Sequence, residues 1–101
     1  MSIKSQLDDN LQKLIIAIDG RFDFSAHKDF RDAYEDLEEQ PSSYRIDMTE
    51  AQYIDSSALG MLLLLRDHAG GDSADVEIVN CNADVKKILT ISNFDQLFTI
   101  A

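Results

Sequence analysis

Short apolar runs alternate with segments of helical periodicity, and that order constrains the chain more than any other feature. The runs are "LIIAI" at Leu14–Ile18, "YRIDM" at Tyr44–Met48 and "VEIV" at Val76–Val79. Each is separated from the next by a helical stretch. Strand–helix–strand units predict parallel pairing with right-handed crossovers. Leu14–Ile18 is continuously apolar and rich in β-branched residues, which predicts a strand covered on both faces. Ahead of it, Ile3–Leu7 alternates weakly and Asp8–Asn10 is turn chemistry. The first two strands are therefore expected to form an antiparallel hairpin.

The helical segments have their own signals. Ala26, Phe30, Ala33 and Leu37 recur at spacings of four, three and four, as on one face of a helix. Ser25 is the expected N-cap, and Pro41 with the serines after it ends the element. Thr49–Asp55 reads as a loop, Ser56 to about Ala69 as a second helix, and Gly70–Ser73 as its stop. Asn82 is placed to cap a third helix that shares Val85, Ile88 and Leu89 on one face. Leu97–Ile100 reads as a last short strand. The expected class is α/β, with a mixed, mostly parallel sheet in the order β-β-α-β-α-β-α-β. One domain over residues 1–101 is expected.

Composition excludes several partners. The formal net charge is -10, from 9 basic and 19 acidic residues. That balance repels nucleic acid phosphates and anionic lipid surfaces, so neither nucleic acid nor a membrane is an expected partner. The apolar run Ala58–Leu65 is too short to span a bilayer. "MSIKSQLDDN" has no apolar core of a secretory signal, and a cytoplasmic location is expected. The single cysteine, Cys81, can form no internal disulfide and belongs to no paired-cysteine metal pattern. It reads as a small buried residue at a strand end. No cofactor or metal is expected.

The second helix, "ALGMLLLLRDHA", carries more apolar surface than one stripe requires. Leu59, Leu62 and Leu63 are expected to face the sheet. Met61, Leu64 and Leu65 then fall on the flanks or the far side, where the later leucines are covered either by the first and third helices or by a partner. Ala58 and Met61, near the helix start, are expected at a partner interface, with Gly60 between them.

Directly before this helix stands "IDSS", Ile54–Ser57. Asp55 can cap the helix alone, because its oxygens accept from the free N–H groups of the first turn. Two further hydroxyls exceed that need. A catalytic serine needs a base in reach, yet the only histidines are His27 and His68. His68 lies three turns along the same helix, and no G-x-S-x-G elbow occurs. An enzyme is therefore not expected. Phosphorylation suits the position better, since a helix N-terminus favours negative charge.

The stretch "IDMTEAQYIDSSALGMLLLL" resembles the STAS domain, and specifically the single-domain anti-sigma factor antagonists. The family pattern has a strand, a short loop, then D-S-S/T-G-L-G leading into an apolar helix. Gly20, Arg21, Phe22 and Asp23 match the family's G-x-L-D. The resemblance covers the whole chain and implies partner switching. In that mechanism the unphosphorylated protein binds a serine/threonine kinase of the GHKL anti-sigma type. The kinase phosphorylates it, and a PP2C-type phosphatase reverses the modification. The implied acceptor is Ser56, with Asp23, Asp55 and Ser57 as its neighbours. The sequence departs from the pattern at Ala58, where glycine is usual, and at Phe22, where leucine is commoner. A STAS scaffold that needs no phosphate is the alternative, and a small serine hydrolase is the third.

Overall fold

The computed structural model describes residues 2–8, 12–35, 37 and 41–100. Five strands form one sheet in the order β1-β2-β3-β4-β5. They are β1 (Ser2–Asp8), β2 (Lys13–Phe22), β3 (Ser43–Ile54), β4 (Val76–Val79) and β5 (Thr99–Ile100). The hairpin β1–β2 is antiparallel, and every later pairing is parallel. The helices are α1 (His27–Glu35), α2 (Ser56–His68) and α3 (Ala83–Ile91). The expected class and element order are therefore observed. Asp9 and Asn10 of the expected turn lie outside the described residues.

Strands β2 to β5 are laid down in sequence order, so each right-handed crossover returns its helix to the same side. All three helices thus share one face. The core shows this directly. Leu14, Ile16 and Ile18 of β2 pack with Tyr44, Ile46 and Met48 of β3 and Ile78 of β4. Phe30 and Tyr34 of α1, Leu62 and Leu65 of α2, and Val85 and Leu89 of α3 close over them. The expectation that β2 is covered on both faces is corrected. Its residues alternate between buried and half-buried, and Ile15 and Ala17 lie on the open face. A continuous apolar run does not distinguish these cases, because a small side chain tolerates partial exposure.

The open face is organised by charge. Glu77 Oε1 accepts from Arg45 Nε at 2.6 Å and from Lys13 Nζ at 3.1 Å. The Arg45 hydrogen bond, seconded by Lys13, holds the Glu77 carboxyl below its usual 4.5. Asp47 is likewise held below 3.8, first by the Thr49 hydroxyl and then by Thr49 N and Asn80.

Besides β2, which runs on past Ile18 to Phe22, and α1, which ends at Glu35 with Leu37 outside the helix, three further boundaries differ from the sequence expectations. The first is the expected loop Thr49–Asp55, of which Thr49–Ile54 continues β3. Two register shifts against β2, between Ala17/Asp19 and Gly20/Arg21, each give β3 one extra residue. Burial in β3 then falls on Met48, Ala51 and Ile54, three apart, and the alternation that marks a strand is lost. Gly20 stands at the second shift with φ +86°, a conformation that glycine adopts without strain. The second difference is at α1. Asp23, not Ser25, caps the entry, and a single 3-10 turn over Phe24–Ala26 leads into the helix. The third is the last strand. Phe94 and Phe98 are buried and stacked, with Phe98 N donating to Phe94 O at 2.8 Å, which shortens β5 to Thr99–Ile100. Asn82 caps α3 as expected, its side chain accepting from Val85 N.

Two outcomes follow from this packing. Leu62 is fully buried, and Leu62→Ala should cost about 2–5 kcal/mol in urea unfolding. Glu77 and Asp47 have depressed folded pKa values, so their stabilisation is present above the ordinary carboxylate range. It is lost as pH falls through the folded values. The urea midpoint should drop as pH is lowered from about 5 towards 3, and less steeply in Glu77→Gln.

Candidate functional site

The site begins with two parallel strands that stop together. The register pairs Phe22, the last residue of β2, with Ile54, the last of β3. Both side chains are buried and anchor the two strand ends in the core. The next residue after each strand is an aspartate that caps the helical turn that follows. Asp23 Oδ1 accepts from Ser25 N at 3.0 Å and from the Ser25 hydroxyl at 2.5 Å. Asp55 Oδ1 accepts from Ala58 N at 3.1 Å and from the Ser57 hydroxyl at 2.6 Å. Two similar caps thus follow neighbouring strands at one end of the sheet.

The two serines separate here. Ser57 is half-buried and its hydroxyl is committed to Asp55. Ser56 is exposed, and its hydroxyl makes no hydrogen bond among the described residues. Ser56 opens α2, where first-turn N–H groups lack intrahelical partners. The Asp23 carboxyl is held below its usual value by the Ser25 hydroxyl, then Ser25 N, with Arg21 adding to them.

Arg21 and Tyr53 are register partners near the strand ends. The Arg21 guanidinium lies over the Tyr53 ring, 4.7 Å from its centroid, and Arg21 Nε is 3.6 Å from Asp23 Oδ2. Phe24, in the turn after Asp23, is 73% exposed and stacks on His27. Sequence reasoning missed Arg21, Tyr53 and Phe24 as site residues. The missing signal was the length of β3: only with Tyr53 in the strand does it face Arg21.

Helix α2 buries Ala58, Met61, Leu62 and Leu65, a stripe at helical spacing. The expected surface positions of Ala58 and Met61 are therefore corrected. Their side chains are 0% and 3% exposed and enter the core. Leu65 is buried too, and Leu63 turns outward instead. A helix apolar on all sides has no sequence marker for the phase of its buried stripe, and the packing sets it. The exposed stripe runs Ser56, Gly60, Leu63, Leu64, Asp67. Leu63 is 38% and Leu64 50% exposed. Among the described residues, a Cβ added at Gly60 would meet nothing within 4 Å.

His27 and His68 line the groove between α1 and α2, with Arg31, Tyr34, Glu35 and Leu64. His68 packs edge-on against Tyr34. Among the described residues, no three His, Cys, Asp or Glu side chains are grouped to hold a metal ion. Cys81 is half-buried, and burial pushes its thiol above the usual pKa. No helix among the described residues is long and apolar enough to cross a membrane.

The Asp55 cap has a measurable role. Asp55→Ala removes the acceptor for Ala58 N and frees the Ser57 hydroxyl, and should cost about 0.5–2 kcal/mol in urea unfolding. Asp55→Asn should recover most of that loss.

A family model described as "Mlab, STAS domain" matches residues 5–99. A STAS-domain containing protein of Pseudomonas aeruginosa (strain UCBPP-PA14) is 61% identical over 90 residues, 89% of this chain and 89% of that protein. Two solved structures share the fold at low identity. A candidate anti-sigma factor antagonist of Thermotoga maritima superposes with a TM-score of 0.83 at 17% identity, covering 97% of this chain and 84% of that one. The Bacillus cell fate determinant SpoIIAA in its phosphorylated form gives 0.74 at 14% identity, covering 99% and 91%. The strand–aspartate–helix joint at Asp55 thus sits inside a match that runs nearly end to end, and the chain belongs to the STAS-domain family.

Proposed function

We propose that this STAS domain is a non-enzymatic binding switch of the anti-sigma antagonist kind, with Ser56 as its phosphoacceptor. The observation that carries the reading is the exposed stripe of α2. It starts at the one hydroxyl of the pair that is not committed to Asp55, and continues through Gly60, Leu63 and Leu64. The bare Ser56 stripe is an apolar contact surface for a kinase of the GHKL anti-sigma type. The kinase transfers the terminal phosphoryl group of ATP to Ser56 Oγ and releases ADP. A PP2C-type phosphatase hydrolyses the ester and restores the hydroxyl.

Phosphate on Ser56 adds about -1.5 to -2 charge at neutral pH. The N–H groups at the start of α2 offset part of it within the chain. A partner seated over Leu63 and Leu64 would have to strip water from the dianion, with the Asp55 carboxylate adjacent in the chain and Asp23 following the neighbouring strand end. The helix accepts the charge, and the covered state does not. A phosphorylated form is described for SpoIIAA, whose fold this chain shares.

Gly60 supports the same reading. Glycine inside a helix costs roughly 0.5–1 kcal/mol relative to alanine, and nothing among the described residues occupies the space a Cβ would take. A close-approaching partner backbone would use that notch.

Intact-mass measurement and peptide mapping of the protein from its own cells test the assignment. The expected result is one phosphate on the Tyr53–Arg66 peptide, localised to Ser56 and absent in Ser56→Ala. A phosphate on Ser57 would overturn the residue assignment. Identical behaviour of wild type, Ser56→Ala and Ser56→Asp would favour a constitutive STAS scaffold, whose exposed Leu63 and Leu64 need no phosphate. Gly60→Ala should raise stability in urea by about 0.5–1 kcal/mol yet slow Ser56 phosphorylation in an ATP-supplied lysate.

A further inference from the structure

Strand β1 is a sheet edge with little of the usual protection. It is seven residues long and pairs with β2 from Ser2↔Asp19 to Asp8↔Lys13 without a register shift. Among the described residues, no strand lies on its other side. An edge strand leaves alternate N–H and C=O groups unpaired, and folded proteins blunt such edges with bulges, prolines, charged side chains, lysine above all, or short length. β1 has no bulge and no proline, and Lys4 is its one basic residue. Lys4, Ser5, Gln6 and Leu7 are exposed, Leu7 by 43%.

The edge is also complementary to itself. Ile3, Ser5 and Leu7 face the buried β2 residues Ile18, Ile16 and Leu14, so they lie on the helix side of the sheet. Lys4, Gln6 and Asp8 lie on the open side. A two-fold axis through β1 keeps helix side with helix side only when opposed residues share parity. Among such registers, the one centred on Ser5 pairs all seven residues. It sets Ile3 opposite Leu7 of the second copy and Ser5 opposite Ser5. It also sets Lys4 diagonal to Asp8 of the second copy, within reach of a long side chain.

We propose that two copies of this chain join antiparallel through β1 in this register, making one continuous sheet. The exposed Leu7 gains an apolar neighbour, and the edge groups gain hydrogen-bond partners. β2 stands between β1 and β3, so each copy keeps the exposed stripe of α2 uncovered.

Sedimentation equilibrium of the full chain at about 0.15 M salt, where exposed charges are screened beyond about 8 Å, tests the association. The expected mass rises with concentration towards twice 11.4 kDa, and Leu7→Asp holds it at 11.4 kDa. Register is tested by crosslinking in a Cys81→Ser background. Directly opposed Cα atoms lie about 4.5–5.5 Å apart, inside the range a disulfide spans. Ser5→Cys should therefore form an interchain disulfide on mild oxidation, at least about tenfold faster than Gln6→Cys, which faces Lys4 in this register. The crosslinking pair carries the test if Leu7→Asp does not fold. A mass of 11.4 kDa at every concentration up to about 1 mM would overturn the proposal. So would a dimer in which Gln6→Cys crosslinks as fast as Ser5→Cys.

Discussion

The parallel pairing of β2 with β3 along their full length is the interaction on which the site depends. It carries both strands to one end of the sheet, where Phe22 and Ile54 are register partners. The two extra residues in β3 matter because they let a longer strand finish level with a shorter one. Had β3 stopped at Met48, α2 would begin near the level of Ile18 rather than of Phe22, about 13 Å back along the strand direction. Asp23 and Asp55 would then have no relation to each other. Each aspartate ends a strand and opens a helix in one residue, so the joint between the elements is short and well determined.

The sequential strand order has a second consequence. With all crossovers of one hand, α2 is the middle helix of a single layer. One flank meets α1, Arg66 on the other reaches the Leu97 carbonyl beyond α3, and its base meets the sheet. This accounts for most of its apolar surface: Leu62 and Leu65 lie below, and Leu59 is half-buried. It does not account for Leu63 and Leu64, which remain outward after the layer is complete. The opposite face of the sheet needs no helix, because Glu77, Arg45 and Lys13 cover it with paired charge.

Much of this was legible in the residues, and the failures have common causes. Asp55 and Asn82 were readable as caps because a polar residue before an apolar periodic run has few other roles. Asp23 was not, because Ser25 offers the same chemistry two residues later and only backbone geometry separates them. The end of β3 was hidden where register shifts replace a period of two with a period of three. The phase of α2 was hidden for the opposite reason: every position from Met61 to Leu65 is apolar, so no contrast marks the inside. Ala58 and Met61 fell to that ambiguity. Ser56 and Ser57 are chemically alike, and a single hydrogen bond to Asp55 distinguishes them.

The uncovered leucines of α2 also bear on how the protein behaves in a crowded solution. An apolar stripe open to solvent is sticky towards any other apolar stripe, including that of unrelated chains. A net charge of -10 on 101 residues opposes such encounters at distances where dispersion contact has not begun. The acid surplus therefore acts as a colloidal stabiliser. It holds random collisions apart while leaving Leu63 and Leu64 bare, so that only a surface matched in both shape and charge reaches them.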